Sequence, residues 1–226
     1  MTDWRRPYGA YLFDLDGTLI DTAPDIGRAL NHALQLADID AVDISLTRHW
    51  VGHGARVLIE QAIAHHEATH GSKPGALQVE PMLNDFLDYY AAHLTDTSTF
   101  YPTVESTLAT LKARGARLAV VTNKMAALSE PLIEQMGALG TFDLIVCGDT
   151  TNHPKPHPEP VVHTLTKLGV PASDALFVGD SETDVNAARA AGVPVVCMRD
   201  GYNHGIDVTT LGANAVIDKM DELLGA

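Results

Sequence analysis

The stretch that decides the fold is FDLDGTLIDT, residues 13–22, which follows directly on the apolar run Ala10–Phe13. Two aspartates, Asp14 and Asp16, stand one residue apart at the end of what the sequence predicts to be a buried strand. Carboxylates in such a place repel one another and are costly to remove from water. Either they cap a turn, or they hold a cation between them.

Short apolar runs alternate with helical segments on either side of this stretch. They are rich in Val, Leu and Ile and lack strict alternation, as expected for strands covered on both faces. The runs are AYLFD (10–14), RLAVVTN (117–123), FDLIVCGD (142–149), ALFVGD (175–180) and VPVVCM (193–198). The helical segments are 104–114, 126–136, 159–168 and 184–191. This alternation predicts βαβ units and a Rossmann-like α/β core with a parallel sheet.

Residues 20–97 have a different hydrophobic pattern, and no comparable strand is found there. Three apolar stripes there follow the i, i+3, i+4 spacing of amphipathic helices. We therefore predict a helical unit at 20–97, inserted after the first strand of a core made of residues 1–19 and 98–226.

The bulk properties exclude several classes of function. The chain has 226 residues and a formal net charge of −14, which argues against a nucleic-acid partner. No apolar run approaches the roughly 18 residues that span a bilayer, and the first residues lack the features of a signal peptide, so a cytoplasmic protein without a membrane partner is expected. An anionic substrate must find local positive charge, since the overall charge repels it.

Polar side chains follow the other predicted strands as well. Thr122-Asn123-Lys124 follows the second strand, Lys155 lies in the loop after the third, and Asp180 and Asp184 follow the fourth. Each has an ordinary explanation as a turn or a helix cap, but ligands of parallel sheets bind at the carboxyl ends of the strands. Clustered oxygen ligands suit Mg²⁺, and a lysine and a hydroxyl beside it suit phosphate oxygens. The chemistry that needs this assembly is phosphoryl transfer.

The motifs that carry a resemblance to known proteins are DLDGTL (14–19), Thr122, Lys155-Pro and GDSETD (179–184), in this order on successive βα units. With them the chain resembles the haloacid dehalogenase-like hydrolase superfamily, and residues 20–97 resemble its helical cap. Further stretches make it similar, more narrowly, to the phosphoglycolate phosphatase family. They are WVGHGARVLIEQA (50–62), VVTNK (120–124), KPHPEP (155–160), GDSETDVNAARAAG (179–192) and GYN (201–203).

The resemblance implies a role for each matching residue. Asp14 is the expected nucleophile, forming an aspartyl-phosphate, and Asp16 the expected general acid and base. Mg²⁺ is expected on the Asp14 carboxylate, the Asp16 main-chain carbonyl and the Asp180 carboxylate. The supporting roles fall to four further positions. Thr122 and the amide of Asn123 are expected on phosphate oxygens, Lys155 is expected to neutralise charge, and Asp184 to orient Lys155 or a metal-bound water.

The predicted cap carries one candidate substrate loop, made of Gly52, His53, Gly54 and Arg56. Paired glycines before a helix let the backbone approach a ligand, and Arg56 could meet the carboxylate of a small acid. An ordinary helix-start turn with a surface arginine explains the same residues. The family usually has Asn where His53 stands, and a histidine in contact with substrate would make binding pH-sensitive.

The expected substrate is a small phosphorylated metabolite, with 2-phosphoglycolate the first to try and a monomer or homodimer the expected state. Asp16 argues against a dehalogenase, which needs no second acid. A phosphatase or phosphomutase for another small phosphate, such as a sugar phosphate or pyrophosphate, would keep the same core residues. A non-catalytic phosphate-binding regulatory module should have lost a core acid or the lysine, and this chain retains them all.

Overall fold

The computed structural model describes residues 4–70 and 79–225, so residues 1–3 and 226 of the predicted core and 71–78 of the predicted cap lie outside it. Its centre is a sheet of six parallel strands in the order β5-β4-β1-β6-β7-β8. The strands are β1 Ala10–Phe13, β4 Arg117–Val121, β5 Leu144–Val146, β6 Ala175–Gly179, β7 Val195–Met198 and β8 Ala215–Ile217. The predicted α/β fold with a parallel sheet is confirmed.

The order of the strands puts β1 at the middle of the sheet, between β4 and β6. All four of its residues are buried, because helices cover both faces of the sheet. Tyr11 and Phe13 pack on one face, while Ala10 and Leu12 pack on the other. A strand buried on both faces needs apolar residues at every position, which is why this run shows no alternation.

The core helices are α5 Val104–Ala113, α6 Ala126–Gln135, α7 Glu159–Leu168 and α8 Glu182–Ala190. Helices α5 and α6 pack on the Tyr11 face, and α7 and α8 on the Leu12 face. Glycines follow each of the four helices with φ between 69° and 84°, the left-handed conformation in which a helix commonly ends. They are Gly115, Gly137, Gly169 and Gly192.

The described parts of the predicted helical unit, 20–70 and 79–97, contain four helices: α1 Ala23–Leu36, α2 Ile44–Trp50, α3 Ala55–His70 and α4 Val79–Ala92. They join the core through two short strands, β2 Ile20–Asp21 and β3 Thr99–Phe100, which pair antiparallel with Ile20 opposite Phe100. Both connections therefore leave the core side by side, as a narrow two-stranded ribbon.

Three local features differ from the sequence prediction. Strand β8 was not predicted, because three residues after a Gly-Ala-Asn turn carry little periodicity. Helix α2 was not predicted either, although the Asp43 side chain accepts a hydrogen bond from Ser45 N and so caps it. Helix α8 begins at Glu182, two residues before the predicted start at 184, because Ser181 and Asp184 form a capping box.

Within residues 4–70 and 79–225, no helix has the length and apolar character needed to cross a membrane. Cys147 and Cys197 are both buried and free.

Candidate active site

Polar residues gather at the edge of the sheet where β1, β4 and β6 end next to one another. Asp14 follows β1, Thr122 follows β4 and Asp180 follows β6. Lys155 comes from the loop before α7, and these four residues line one cavity. Asp184, in the first turn of α8, contacts Lys155 from behind.

Lys155 is the buried cation of this edge, with a side chain only 1% exposed. Its Nζ lies 2.9 Å from Asp14 Oδ1 and 2.7 Å from Asp184 Oδ1. Burial alone would lower the pKa of Lys155, but the two carboxylates raise it above its ordinary value. The lysine therefore stays charged between the two acids.

Asp14, Asp180 and Asp184 bring carboxylate oxygens within 4.8 Å of one another. Burial raises the pKa of Asp14, which Lys155 partly offsets, and raises that of Asp180, where the two neighbouring acids add to the effect. The buried Asp14 Oδ1, despite its ion pair, accepts no hydrogen bond from the residues described. A divalent cation with a preference for oxygen ligands would supply the missing charge, so the residues fit such an ion.

Asp184 is fully committed to protein partners. Its Oδ2 accepts hydrogen bonds from Ser181 Oγ at 2.8 Å and from the main-chain N–H groups of Asp180 and Ser181 at 3.1 Å. Its other oxygen receives the Lys155 ammonium. Asp184 thus holds both the start of α8 and the position of Lys155.

Asp180 is held from two sides. Thr18 Oγ1 donates to Oδ1 at 2.6 Å, and Tyr202 N donates to Oδ2 at 2.5 Å. The loop that carries Tyr202 passes so close that a Cβ on Gly201 would overlap the Asp180 side chain. Only glycine lets the loop approach the acid in this way.

Asp16 faces the cavity from the other side and contacts a second buried lysine. Lys124 Nζ lies 3.0 Å and 3.1 Å from the two Asp16 oxygens, and Thr22 Oγ1 donates to Oδ1 at 2.7 Å. Lys124 Nζ also donates to Tyr90 Oη at 2.8 Å, from helix α4. In the sequence Lys124 stands two residues after Thr122, and no local pattern there assigns a role to Lys124 or to Tyr90.

Asn123 ties two loops of the site together. Its side-chain Oδ1 accepts from Lys155 N and its Nδ2 donates to Lys155 O, both at 2.9 Å. The side-chain amide is therefore engaged in holding the Lys155 loop. Of the two amides of Asn123, the main-chain N–H is the one that could contact a phosphate. Thr122 Oγ1 lines the cavity and accepts from Lys124 N at 3.2 Å.

Only part of the candidate cap loop lines the cavity. Gly52 and Gly54 line the cavity with φ of 123° and 90°. His53 instead stacks on His204 of the core, with ring centroids 4.4 Å apart, and its pKa is lowered by burial and by His204. Arg56 is not among the cavity-lining residues; its side chain is 48% exposed and pairs with Glu80 at 2.6 Å.

The cavity has a volume of about 100 Å³, so it fits a small molecule rather than a polymer. Its floor is the polar edge of the sheet, and its roof consists of side chains from the inserted helices. The roof side chains are apolar apart from one tyrosine: Ile26, Val51, Ala55, Leu58, Phe86, Leu87 and Tyr90.

Comparison with known proteins agrees with this architecture. The model of the family described as haloacid dehalogenase-like hydrolase matches residues 11–198. The chain is 41% identical to the phosphoglycolate phosphatase of Mesorhizobium japonicum over 94% of its length and 91% of that protein. It is 38% identical to the phosphoglycolate phosphatase of Colwellia psychrerythraea over 94% of each protein.

Solved structures show the same relationship. A predicted phosphoglycolate phosphatase from Haemophilus somnus superposes with a TM-score of 0.91 at 33% identity, covering 96% of each chain. CbbY from Rhodobacter sphaeroides, solved in complex with phosphate, superposes with a TM-score of 0.78 at 27% identity over 96% of each chain.

Proposed function

Because the chain belongs to the haloacid dehalogenase-like hydrolase family, we propose that it is a Mg²⁺-dependent phosphatase that hydrolyses 2-phosphoglycolate to glycolate and phosphate. The observation that carries the proposal is one small cavity that brings the Asp14–Lys155 ion pair, Asp180 and Asp16 together. A phosphoric monoester hydrolase needs a nucleophile, a proton donor and neutralisation of phosphate charge, and these residues offer all three.

Three groups would hold Mg²⁺: the carboxylates of Asp14 and Asp180 and the main-chain carbonyl of Asp16. The buried carboxylates, with an Asp14 oxygen that accepts no hydrogen bond among the described residues, support this choice. When bound, the ion supplies positive charge that shields the phosphate from the attacking carboxylate.

In the first step, an Asp14 oxygen attacks phosphorus and the bond from phosphorus to the ester oxygen breaks. The product on the protein is an aspartyl-phosphate at Asp14, and the released alkoxide takes a proton from Asp16. In the second step Asp16 accepts a proton from water as that water attacks the aspartyl-phosphate. Phosphate leaves, and both aspartates return to their starting state.

The remaining residues position these groups. We assign phosphate oxygens to the Thr122 hydroxyl, the main-chain amide of Asn123 and the Lys155 ammonium, whose charge also favours the ionised form of Asp14. The hydrogen bonds of Asp184 to Lys155 and of Asn123 to the Lys155 main chain support an orienting role for both.

The helical unit at 20–97 is proposed as a cap that closes over the core formed by 1–19 and 98–226. Its apolar roof over the cavity supports this, because a closed cap would keep water away from the aspartyl-phosphate until the hydrolysis step. Within the cap loop, Gly52 and Gly54 are the residues proposed to approach substrate, with His53 and Arg56 at its margin.

The choice of 2-phosphoglycolate draws on the relatives of that name at 38% and 41% identity over nearly the whole chain. The test is a panel of phosphomonoesters with Mg²⁺: 2-phosphoglycolate, ethyl phosphate, sugar phosphates and pyrophosphate. We expect the highest kcat/KM for 2-phosphoglycolate. If a sugar phosphate has a much higher kcat/KM, the assigned substrate is wrong but the phosphatase activity stands. Inactivity with every ester would contradict the assignment as a phosphatase.

A further inference from the structure

Among the residues described, the cavity has two cations, Lys155 and Lys124. Lys155 is held between Asp14 and Asp184, in the position that serves the phosphoryl group. A substrate such as 2-phosphoglycolate carries a second anionic group, its carboxylate, which would lose its hydration inside this cavity. Burying a carboxylate without a partner is costly, so a second cation is needed.

Among the side chains that the structure describes, the roof of the cavity provides no such cation. Its described side chains are apolar or, for Tyr90, a hydroxyl, and Arg56 points to the surface, where it pairs with Glu80. Within residues 4–70 and 79–225, the cation available to the carboxylate is therefore Lys124, whose side chain is only 6% exposed.

Lys124 is charged in this setting. Burial alone would lower its pKa, but Asp16 and Tyr90 raise it above the ordinary value of a lysine. Its ammonium donates to both Asp16 oxygens and to the Tyr90 hydroxyl, so its positive charge lies one hydrogen bond away from the proposed general acid.

We propose that Lys124 is the specificity-determining residue that receives the substrate's carboxylate, exchanging Asp16 for it as the substrate binds. The proposal rests on the proposed function and names the group that distinguishes 2-phosphoglycolate from other small esters. The connectivity matches: Asp16 must reach the ester oxygen, and the carboxylate of the substrate is joined to that oxygen through a single CH₂ group.

The exchange links recognition to the proposed general acid. When the ammonium turns to the substrate's carboxylate, Asp16 is released by the lysine and keeps its hydrogen bond from Thr22 Oγ1. The substrate's carboxylate thereby moves the lysine away from the side chain that must face the ester oxygen. An ester without a carboxylate cannot draw the lysine away and is hydrolysed less efficiently.

The test compares kcat/KM for 2-phosphoglycolate with that for ethyl phosphate, in which a methyl group replaces the carboxylate. The ratio of the two values is measured for the wild-type enzyme, Lys124→Met and Lys124→Gln. We expect the ratio to fall about 10- to 100-fold in both variants, the effect of losing a charged hydrogen bond. Any damage common to both substrates cancels in the ratio.

Three further variants serve as comparisons. Lys124→Arg keeps the charge and should keep most of the preference, whereas Lys167→Met removes an exposed lysine of α7 and should leave the ratio unchanged. Arg56→Ala tests the rival cation of the cap. A ratio that falls in Arg56→Ala but not in Lys124→Met would overturn the proposal.

The outcomes distinguish failure of the proposed substrate from failure of the proposed role of Lys124. A wild-type enzyme that does not distinguish the two esters contradicts 2-phosphoglycolate as the substrate. A wild-type enzyme that does distinguish them, with the same ratio in Lys124→Met and Lys124→Gln, overturns the role of Lys124 alone. Failure of both variants to fold, judged by circular dichroism, would assign Lys124 to stability and overturn the proposal too.

Discussion

Individual buried charges decide the chemistry of this site, and each is held in place by a specific neighbouring group of the protein. Asp14 lies beside Lys155, whose Nζ is 2.9 Å away, and shares the pocket with two further acids. Such a charge cluster is costly to bury, and removal of one member changes both reactivity and stability. Asp14 is the clearest case, because it is the proposed nucleophile and also one of the repelling acids.

Asp14→Asn should lower kcat by about 10⁴-fold or more, because a neutral amide is a poor nucleophile toward phosphorus. Stability should change little, because loss of the ion pair with Lys155 is offset by removal of a buried charge and of its repulsion with Asp180 and Asp184. Steady-state kinetics and thermal unfolding measure the two effects. Activity above roughly one hundredth of the wild-type value would rule out nucleophilic attack by this side chain.

The paired strands β2 and β3 connect the inserted helices to the core, and an acid at the start of α1 holds them in place. Asp25 is fully buried and accepts hydrogen bonds from four groups, the N–H and hydroxyl groups of Thr97 and Ser98. It also pairs with Arg28 in the next turn. One carboxylate thus joins the outgoing connection of the helical unit to the incoming one.

Asp25→Asn should lower the free energy of unfolding by about 2–4 kcal/mol, because an amide cannot accept from all four donors. Burial alone would raise the pKa of Asp25, but the hydrogen bonds lower it below the ordinary value. Its stabilising effect is therefore complete above about pH 4, the ordinary pKa of an aspartate, and is lost as the pH falls through the lowered pKa.

Urea unfolding of the wild type and of Asp25→Asn from neutral pH to about pH 3 measures this dependence. Asp88→Asn, on the exposed face of α4, is the matched control and should change stability by less than about 0.5 kcal/mol. A stability difference for Asp25→Asn that stays constant down to pH 3 would contradict the assigned role of the carboxylate.

The whole molecule carries a formal net charge of −14, and its candidate site adds three acids within 4.8 Å of one another. The overall field repels an anionic substrate, so binding depends on local cations. Two are built into the cavity as lysines, and the acids fit a third, a divalent ion. Binding of this ion should therefore stabilise the whole fold.

Mg²⁺ at about 100 times its dissociation constant should raise the melting temperature by roughly 5–10 °C, because binding to the native state alone contributes about 2.7 kcal/mol. Chelation should reverse the shift and abolish phosphatase activity. In Asp180→Asn the shift should be largely lost, while Asp88→Asn should retain it. Equal shifts in wild type and Asp180→Asn would exclude Asp180 as a ligand.

Local sequence signals determined the architecture of this protein. Doubly buried strands, helices ending at glycines and the inserted amphipathic helices all follow from residue periodicity and turn chemistry, which act over a few positions. Parallel strands end at one edge, so the sequence also predicted that Asp14, Thr122 and Asp180 lie near one another. Short elements such as β8 and α2 were not predicted from the sequence, because their local signals are weak.

Only the tertiary structure decided which partner each charged side chain has. Lys124 meets Asp16 across 108 residues of sequence, and Arg56, for which the sequence left a substrate contact and a surface position both open, pairs with Glu80. Asn123 turns its side-chain amide to the Lys155 loop. The physical reason is that a long polar side chain reaches several candidate partners, and packing of distant elements selects one of them, which no local pattern encodes.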